Sequence, residues 1–151
     1  MNKFIFLFFV VLFITGCSYE PVLTNKEYNF SFSNINFDGE DDINQIVKNK
    51  LLKTKNNFGK SYNISYKTRK NKKILSSNEK GDPTVIKIII ILEYSIEADG
   101  KNIFFDKIQK QATYNNINDK FELLKYEENI IKNIAENISS QILTSASAIT
   151  K

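Results

Sequence analysis

Histidine and tryptophan are absent from this 151-residue chain, which holds one cysteine, one methionine, two prolines and five glycines. Without an imidazole no Ser-His-Asp or Cys-His relay can form, and no Gly-x-Ser-x-Gly turn is present either. Zinc sites built from Cys and His are excluded by inventory. The glycines are scattered, so there is no Gly-rich loop to cradle a phosphate. A single cysteine forms no internal disulfide, and stability must come from packing alone. Long apolar runs are lacking too: residues 4–14 make the longest, 11 residues against the roughly 20 that a spanning helix needs.

That short run has the layout of an export signal. Lys3 supplies the positive end, the Phe/Val/Leu/Ile stretch the apolar middle, and Gly16 a small residue at the cut. The closing Ile14-Thr15-Gly16-Cys17 resembles a bacterial lipobox, which implies cleavage before Cys17, diacylglycerol on its thiol and an acyl chain on its new amine. The alternatives, an ordinary signal peptide or a buried free thiol, need position and flanking residues to agree by accident. One acyl chain anchors only marginally, whereas the several expected here anchor firmly. An Asp after such a cysteine often signals inner-membrane retention; Ser18 stands there instead and favours the outer membrane.

Cleavage would remove residues 1–16 and leave 135 of the 151, enough for one domain. Lys3 goes with them, so 20 basic residues face 17 acidic ones, a mildly basic balance that does not mark a nucleic-acid binder. Residues 17–27, with Pro21, read as a lipidated tether, and the ten residues 18–27 reach at most about 35 Å. The folded domain is expected over 28–145, with 146–151 a flexible tail.

Alternation predicts a strand over 28–37, with Tyr28, Phe30 and Phe32 on one side, and a change of parity at Ser33-Asn34 that suggests a bulge. Gly39 breaks the chain, and Glu40, Asp41 and Asp42 suit the positive end of a helix. That helix carries Ile43, Ile46, Val47 and Leu51 and is expected to end near Thr54, before the stop Asn56-Asn57-Phe58-Gly59. Tyr62, Ile64, Tyr66 and Thr68 give a second strand. After a turn-rich stretch at 76–83, residues 84–98 form the most hydrophobic strand, expected to be central because Ile89 and Ile91 make even its second face apolar.

Asp99-Gly100 is the strongest hairpin signal. A two-residue loop would put Ile103 and Phe105 beside Tyr94 and Ile96; a bulged three-residue loop would put Phe104 and Ile108 there. The returning strand runs to Tyr114, and a helix follows over 121–143 with the stripe Leu124, Glu127 (an edge breach), Ile131, Ile134, Ile138 and Ile142, widened by Ile130 and Ala135. The order β-α-β-β-β-α predicts an α+β two-layer sandwich, a four-stranded mostly antiparallel or mixed sheet with two helices on one face.

Two carboxylate groups, Glu40-Asp41-Asp42 and Glu127-Glu128, read as a helix N-terminal cluster and a solvated helix shoulder, so no enzyme activity is expected. No metal and no cofactor beyond the lipid on Cys17 is expected either. The basic run Lys67, Arg69, Lys70, Lys72 and Lys73 is the candidate recognition element, placed at a strand end and able to bind phosphates. The blander reading is a charged loop that discourages edge pairing.

Gly16-Cys17-Ser18-Tyr19-Glu20-Pro21-Val22, the Asp99-Gly100 hairpin, Ala112-Thr113-Tyr114-Asn115 and Tyr126-Glu127-Glu128-Asn129 together resemble the LptE-type LPS-assembly lipoproteins. The resemblance implies a lipid-anchored domain on the periplasmic side of the outer membrane, seated inside a large β-barrel. There it would act as plug, assembly partner and LPS-handling subunit. Leu23-Thr24 departs from the family pattern, and the five cations are candidate LPS-phosphate or barrel contacts from local chemistry alone. The other class weighed, a lipoprotein activator of a cell-wall synthase, normally needs a longer tether than 18–27.

Overall fold

The structure, a computed structural model, describes residues 28–54 and 59–149. Cys17, the signal segment, the tether and residues 56–58 of the expected helix stop lie outside the described residues. The elements are β1 (Phe30–Asp38), α1 (Asp41–Leu52), β2 (Lys60–Ser77), β3 (Pro83–Ala98), β4 (Lys101–Asn115) and α2 (Lys120–Ile149). They form one four-stranded sheet in the order β1-β2-β3-β4, parallel between β1 and β2 and antiparallel elsewhere. The expected mixed sheet, element order and two-layer architecture are all found.

Both helices cover the face made by the even-numbered residues of β2 and β3. Tyr62, Ile64, Tyr66, Ile88, Ile90, Leu92, Tyr94 and Ile96 are buried there against Ile43, Val47 and Leu51 of α1 and Ile131, Ile134, Ile138 and Ile142 of α2. Burial of each such side chain stabilises by about 1.5–3 kcal/mol. The opposite face stays open, its β3 residues only half-covered by their cross-strand neighbours. We call the two surfaces the helix face and the open face.

The parity change in β1 is a bulge, because the pairing with β2 shifts between Phe32 and Asn34. Ser33 is the extra residue, and its hydroxyl donates to the Tyr62 carbonyl at 3.3 Å. Asp99 and Gly100 both have positive φ, 50° and 74°, as a two-residue type I′ turn requires. The pairing nevertheless shifts between Ile96 and Glu97, so that Ile103 is skipped and Phe104 and Ile108 reach the helix face. The tight turn and the bulged register therefore coexist. Phe105 points to the open face, 70% exposed.

Three expectations need correction. β2 does not end near Thr68: it continues to Ser77, because the apolar first half of β3 needs a partner and the pairing Lys73↔Lys87, Ile74↔Ile86 supplies it. The basic run thus lies inside a strand. Leu124 stands 59% exposed, and Leu123 packs inward instead. The residues expected to fray are the last turns of α2, which runs to Ile149 with Ala146 buried. Small side chains there allow close packing, and no breaker intervenes.

Capping follows local chemistry. Asp119 accepts from the backbone N–H of Phe121 and Glu122, at 2.9 and 3.1 Å, and so satisfies the start of α2. At α1 the Thr68 hydroxyl accepts from Glu40 N–H at 3.0 Å and donates to the buried Asn44 side chain at 2.8 Å. Tyr66 in turn donates to the Asn44 carbonyl at 2.8 Å. These bonds fasten the front of α1 to β2 beside residue 68.

Candidate functional site

Alternation within β2 divides the basic run between the two faces. Lys70 and Lys72 lie on the helix face. Lys70 bridges Glu40 at 3.2 Å and Asp42 at 3.0 Å, so the acidic cluster at the start of α1 serves both the helix dipole and this cation. Lys72 pairs with Glu127 of α2, which also accepts from the buried Tyr114 hydroxyl. Lys67 and Arg69 lie on the open face, held by Asp38 at 2.6 Å and Glu93 at 2.7 Å, the latter shared with Lys107 at 3.1 Å. Lys73 alone of the five has no ion pair among the described residues.

Glu127 is thus not a solvated shoulder but a buried carboxylate. Burial alone would push its carboxyl up; the bonds from Lys72 and Tyr114 and the charges of Lys72 and Lys70 outweigh that and hold it below the ordinary carboxylate value. Burial, and then the carboxylate itself, push the Tyr114 phenol up. A carboxyl depressed in the folded state stabilises above its unfolded pKa of about 4.3, and that contribution fades as the pH falls through the folded value. Glu127→Gln is therefore expected to cost about 2 kcal/mol at neutral pH. The gap between wild type and variant in urea unfolding should close below about pH 4. A gap that stays constant with pH would show that the charge of Glu127 plays no part.

Lys73 sits directly opposite Lys87 of β3 on the open face, and neither has an acidic partner among the described residues. Like charges directly opposite are destabilising, with Cβ atoms about 5 Å apart, so the pair favours an anion that can bridge it. The half-covered Ile89 and Ile91 continue along the same face. Lys87 and Lys107 belong to this surface and were not in the predicted set. A lone Lys between apolar residues marks the open face in the sequence, but only the register with β2 sets it against Lys73.

The same end of the sheet carries most of the exposed apolar surface. Ile74, Leu75, Ile117, Phe121, Leu124 and Tyr126 are each at least 40% exposed, on the β2–β3 turn side and the first turns of α2. The cause is architectural: β1 ends opposite Lys67 and α1 starts beside Thr68, so neither reaches this far. Leu124 lies near the stripe that is buried one turn later, but Leu123 takes the inward position and Leu124 stays exposed. Clustered apolar exposure of this kind marks an interaction surface.

At the other end of the open face is a shallow depression of about 320 Å³, bordered by Asn36, Ser65, Lys67, Glu93, Ser95 and Phe105. It gathers no set of groups suited to proton transfer or nucleophilic attack. Among the described residues no cluster of acids stands where it could hold a metal ion.

No protein-family model and no curated protein sequence matches the chain. Solved structures do. Rare lipoprotein B from Shewanella oneidensis superposes with a TM-score of 0.58 at 16% identity, covering 76% of this chain and 94% of that one. An uncharacterized lipoprotein B from Nitrosomonas europaea gives 0.57 at 14%, covering 84% and 90%. A minor lipoprotein from Acinetobacter baumannii gives 0.54 at 14%, covering 80% and 92%. The chain shares their fold. At such identities the likeness concerns backbone architecture, and the roles of individual side chains rest on the geometry above.

Proposed function

We propose that this chain is an outer-membrane lipoprotein that serves as plug and assembly partner of the LPS-assembly β-barrel, aiding LPS transport to the outer leaflet. The lipobox-like Ile14-Thr15-Gly16-Cys17 supports the anchor, and a fold shared with several bacterial lipoproteins supports the class. The observation that carries the reading is the cluster of exposed apolar side chains at the same end of the sheet as Lys73 and Lys87, which have no ion pair among the described residues, far from where the tether would join β1. The role is non-catalytic: the lipid holds the domain at the inner leaflet, the apolar end docks against the barrel, and the two lysines receive a phosphate of the amphiphile.

A photo-crosslinking residue in place of Leu124 tests the docking. Adducts with a large outer-membrane β-barrel are expected; uncrosslinked monomer alone, or adducts confined to a cell-wall synthase, would reject the reading. Lys73 and Lys87 test the ligand. Replacing both by Glu should weaken LPS binding by the purified lipoprotein about tenfold or more, since two charge-assisted contacts become repulsive. Circular dichroism should be unchanged, because neither side chain supports the fold. Arg69 and Lys70 are poorer choices for charge reversal, because both hold ion pairs within the domain. Unaltered LPS affinity in the double variant would remove the lysine pair from the mechanism.

A further inference from the structure

β2 runs ten residues past its pairing with β1, from Thr68 to Ser77, and over that length no strand flanks its outer edge among the described residues. A Cβ placed on Gly39 would lie 2.0 Å from the Thr68 carbonyl oxygen, so this carbonyl faces the β1 side. By alternation the backbone N–H and C=O groups of Lys70, Lys72 and Ile74 face the same way. The pairing of β2 with β3 is regular through Ile74, without a bulge to twist the edge aside.

Lysines usually guard such an edge, but the guard is spent here. Lys70 and Lys72 are drawn onto the helix face by Glu40, Asp42 and Glu127, and Arg69 is drawn across the sheet by Glu93. Only Lys73 is left. β1 itself shows what suits the line it occupies, since its last residue, Asp38, lies beside Lys67 and pairs with it. The next open-face positions along that line lie beside Arg69, Asn71 and Lys73.

We infer that the free edge of β2 over residues 69–75 receives an extended segment of another protein, added as a strand in line with β1 and carrying carboxylates on its open-face side chains. Backbone bonds to Lys70, Lys72 and Ile74 hold it, and Lys73, with Lys87 behind it, selects the acidic side chains. A second copy fits poorly. Antiparallel self-pairing about Asn71 sets Arg69 against Lys73 and Lys70 against Lys72, cation on cation. The chain's own tether fits poorly too. β1 begins beside Lys60, and Lys72 lies about 40 Å further along β2; residues 18–29 span at most about 43 Å fully extended, so they would be used up in reaching Lys72 and leave no strand to lie along 69–75. The inference stands independently of the LPS role and of the barrel's identity.

Residue-resolved amide exchange on the full lipidated protein in mild detergent tests it. The probe is a capped octapeptide alternating Glu with Val or Thr. At millimolar concentration it should slow exchange at Lys70, Lys72 and Ile74 about fivefold or more while leaving Asn71 and Lys73, which bond to β3, unchanged. The same peptide with Lys for Glu, or N-methylated on its bonding edge, should give no protection. On the protein side, Ile74→Pro removes an outward N–H without touching the β3 ladder and should abolish the effect, whereas Ile74→Ser should keep it. Three results would overturn the inference: no protection by the acidic peptide, equal protection by the N-methylated one, or protection without peptide that rises with protein concentration, which makes the occupant a second copy.

Discussion

Gly39→Ala should lower the thermal midpoint by roughly 15 °C, a large loss for the addition of a single methyl group. Gly39 sits between β1 and α1 at φ +101°, where an L side chain costs about 1–2 kcal/mol. The added Cβ would also fall 2.0 Å from the Thr68 carbonyl oxygen and 2.9 Å from its carbon, backbone atoms that cannot swing aside. Relief requires the turn to back away from β2. That strains the hydrogen bond from Glu40 N–H to the Thr68 hydroxyl and, through Thr68, the contact with buried Asn44, at about 1 kcal/mol each. The total of about 4 kcal/mol is a large share of the 5–15 kcal/mol that holds a domain of this size together. Gly100→Ala is the control. Gly100 also has positive φ, +74°, but no other atom of the described residues lies within 4 Å of its would-be Cβ, so only about 1 kcal/mol and a few degrees should be lost. Equal losses in the two variants would mean that backbone strain, not the approach of β2, sets the cost.

The contrast between these two glycines reflects what local pattern does and does not encode. Asp99-Gly100 announces its turn because turn chemistry is local, and the bulge at Ser33 shows as a slip in the alternation of Phe30, Phe32, Ile35 and Phe37. Gly39 announces a break, but the carbonyl that makes it irreplaceable lies 29 residues away. The same limit hides the second half of β2. Residues 69–73 are polar on both faces and give no period-two signal, and they become strand only because the isoleucines of β3 lie beside them.

Glu127 is the sharper case. Its position on the stripe of α2 is legible as core and its chemistry as surface, and the conflict is resolved by Lys72 and Tyr114, brought from two different strands. Periodicity also gives the stripe of α2, yet neither that Leu123 and not Leu124 turns inward at its start nor how far α1 and β1 extend, which leaves Leu124 exposed. For the candidate site, the cations were visible as a run. Which of them is free was not, because Asp38, Glu40, Asp42, Glu93 and Glu127 reach four of the five through tertiary contacts.

Made behind an export signal that is cleaved without lipidation, the Cys17→Ser protein should shift from the membrane fraction to the soluble one by tenfold or more while its domain stays folded. A serine oxygen is a far weaker nucleophile than a thiolate and offers no sulfur for a thioether to diacylglycerol, and under the proposed function cleavage of the natural signal before residue 17 would depend on that modification. The energetic lever is length of hydrocarbon: each buried CH₂ contributes about 0.8 kcal/mol, and a single chain binds with only about 10⁴ M⁻¹, so losing several chains removes nearly all anchoring. Folding should not follow, because residue 17 lies 11 positions before Tyr28 and the core begins at Phe30. Flotation of membranes on a density gradient, with a urea melt of the released protein, reads both halves of the expectation. A Cys17→Ser protein that still floats would mean that the apolar side chains Ile74, Leu75, Phe121 and Leu124 hold it to a membrane component without lipid. A double variant with Leu124→Asp would then separate that contact from the anchor. The geometry makes the two separable: β1 begins beside Lys60, and the apolar cluster lies at the Ser77 end of β2, about 50 Å away along an extended strand. Under the proposed function, removing the lipid should abolish placement at the membrane while leaving the far end able to recognise the proposed partner, and adding an acid there should do the reverse.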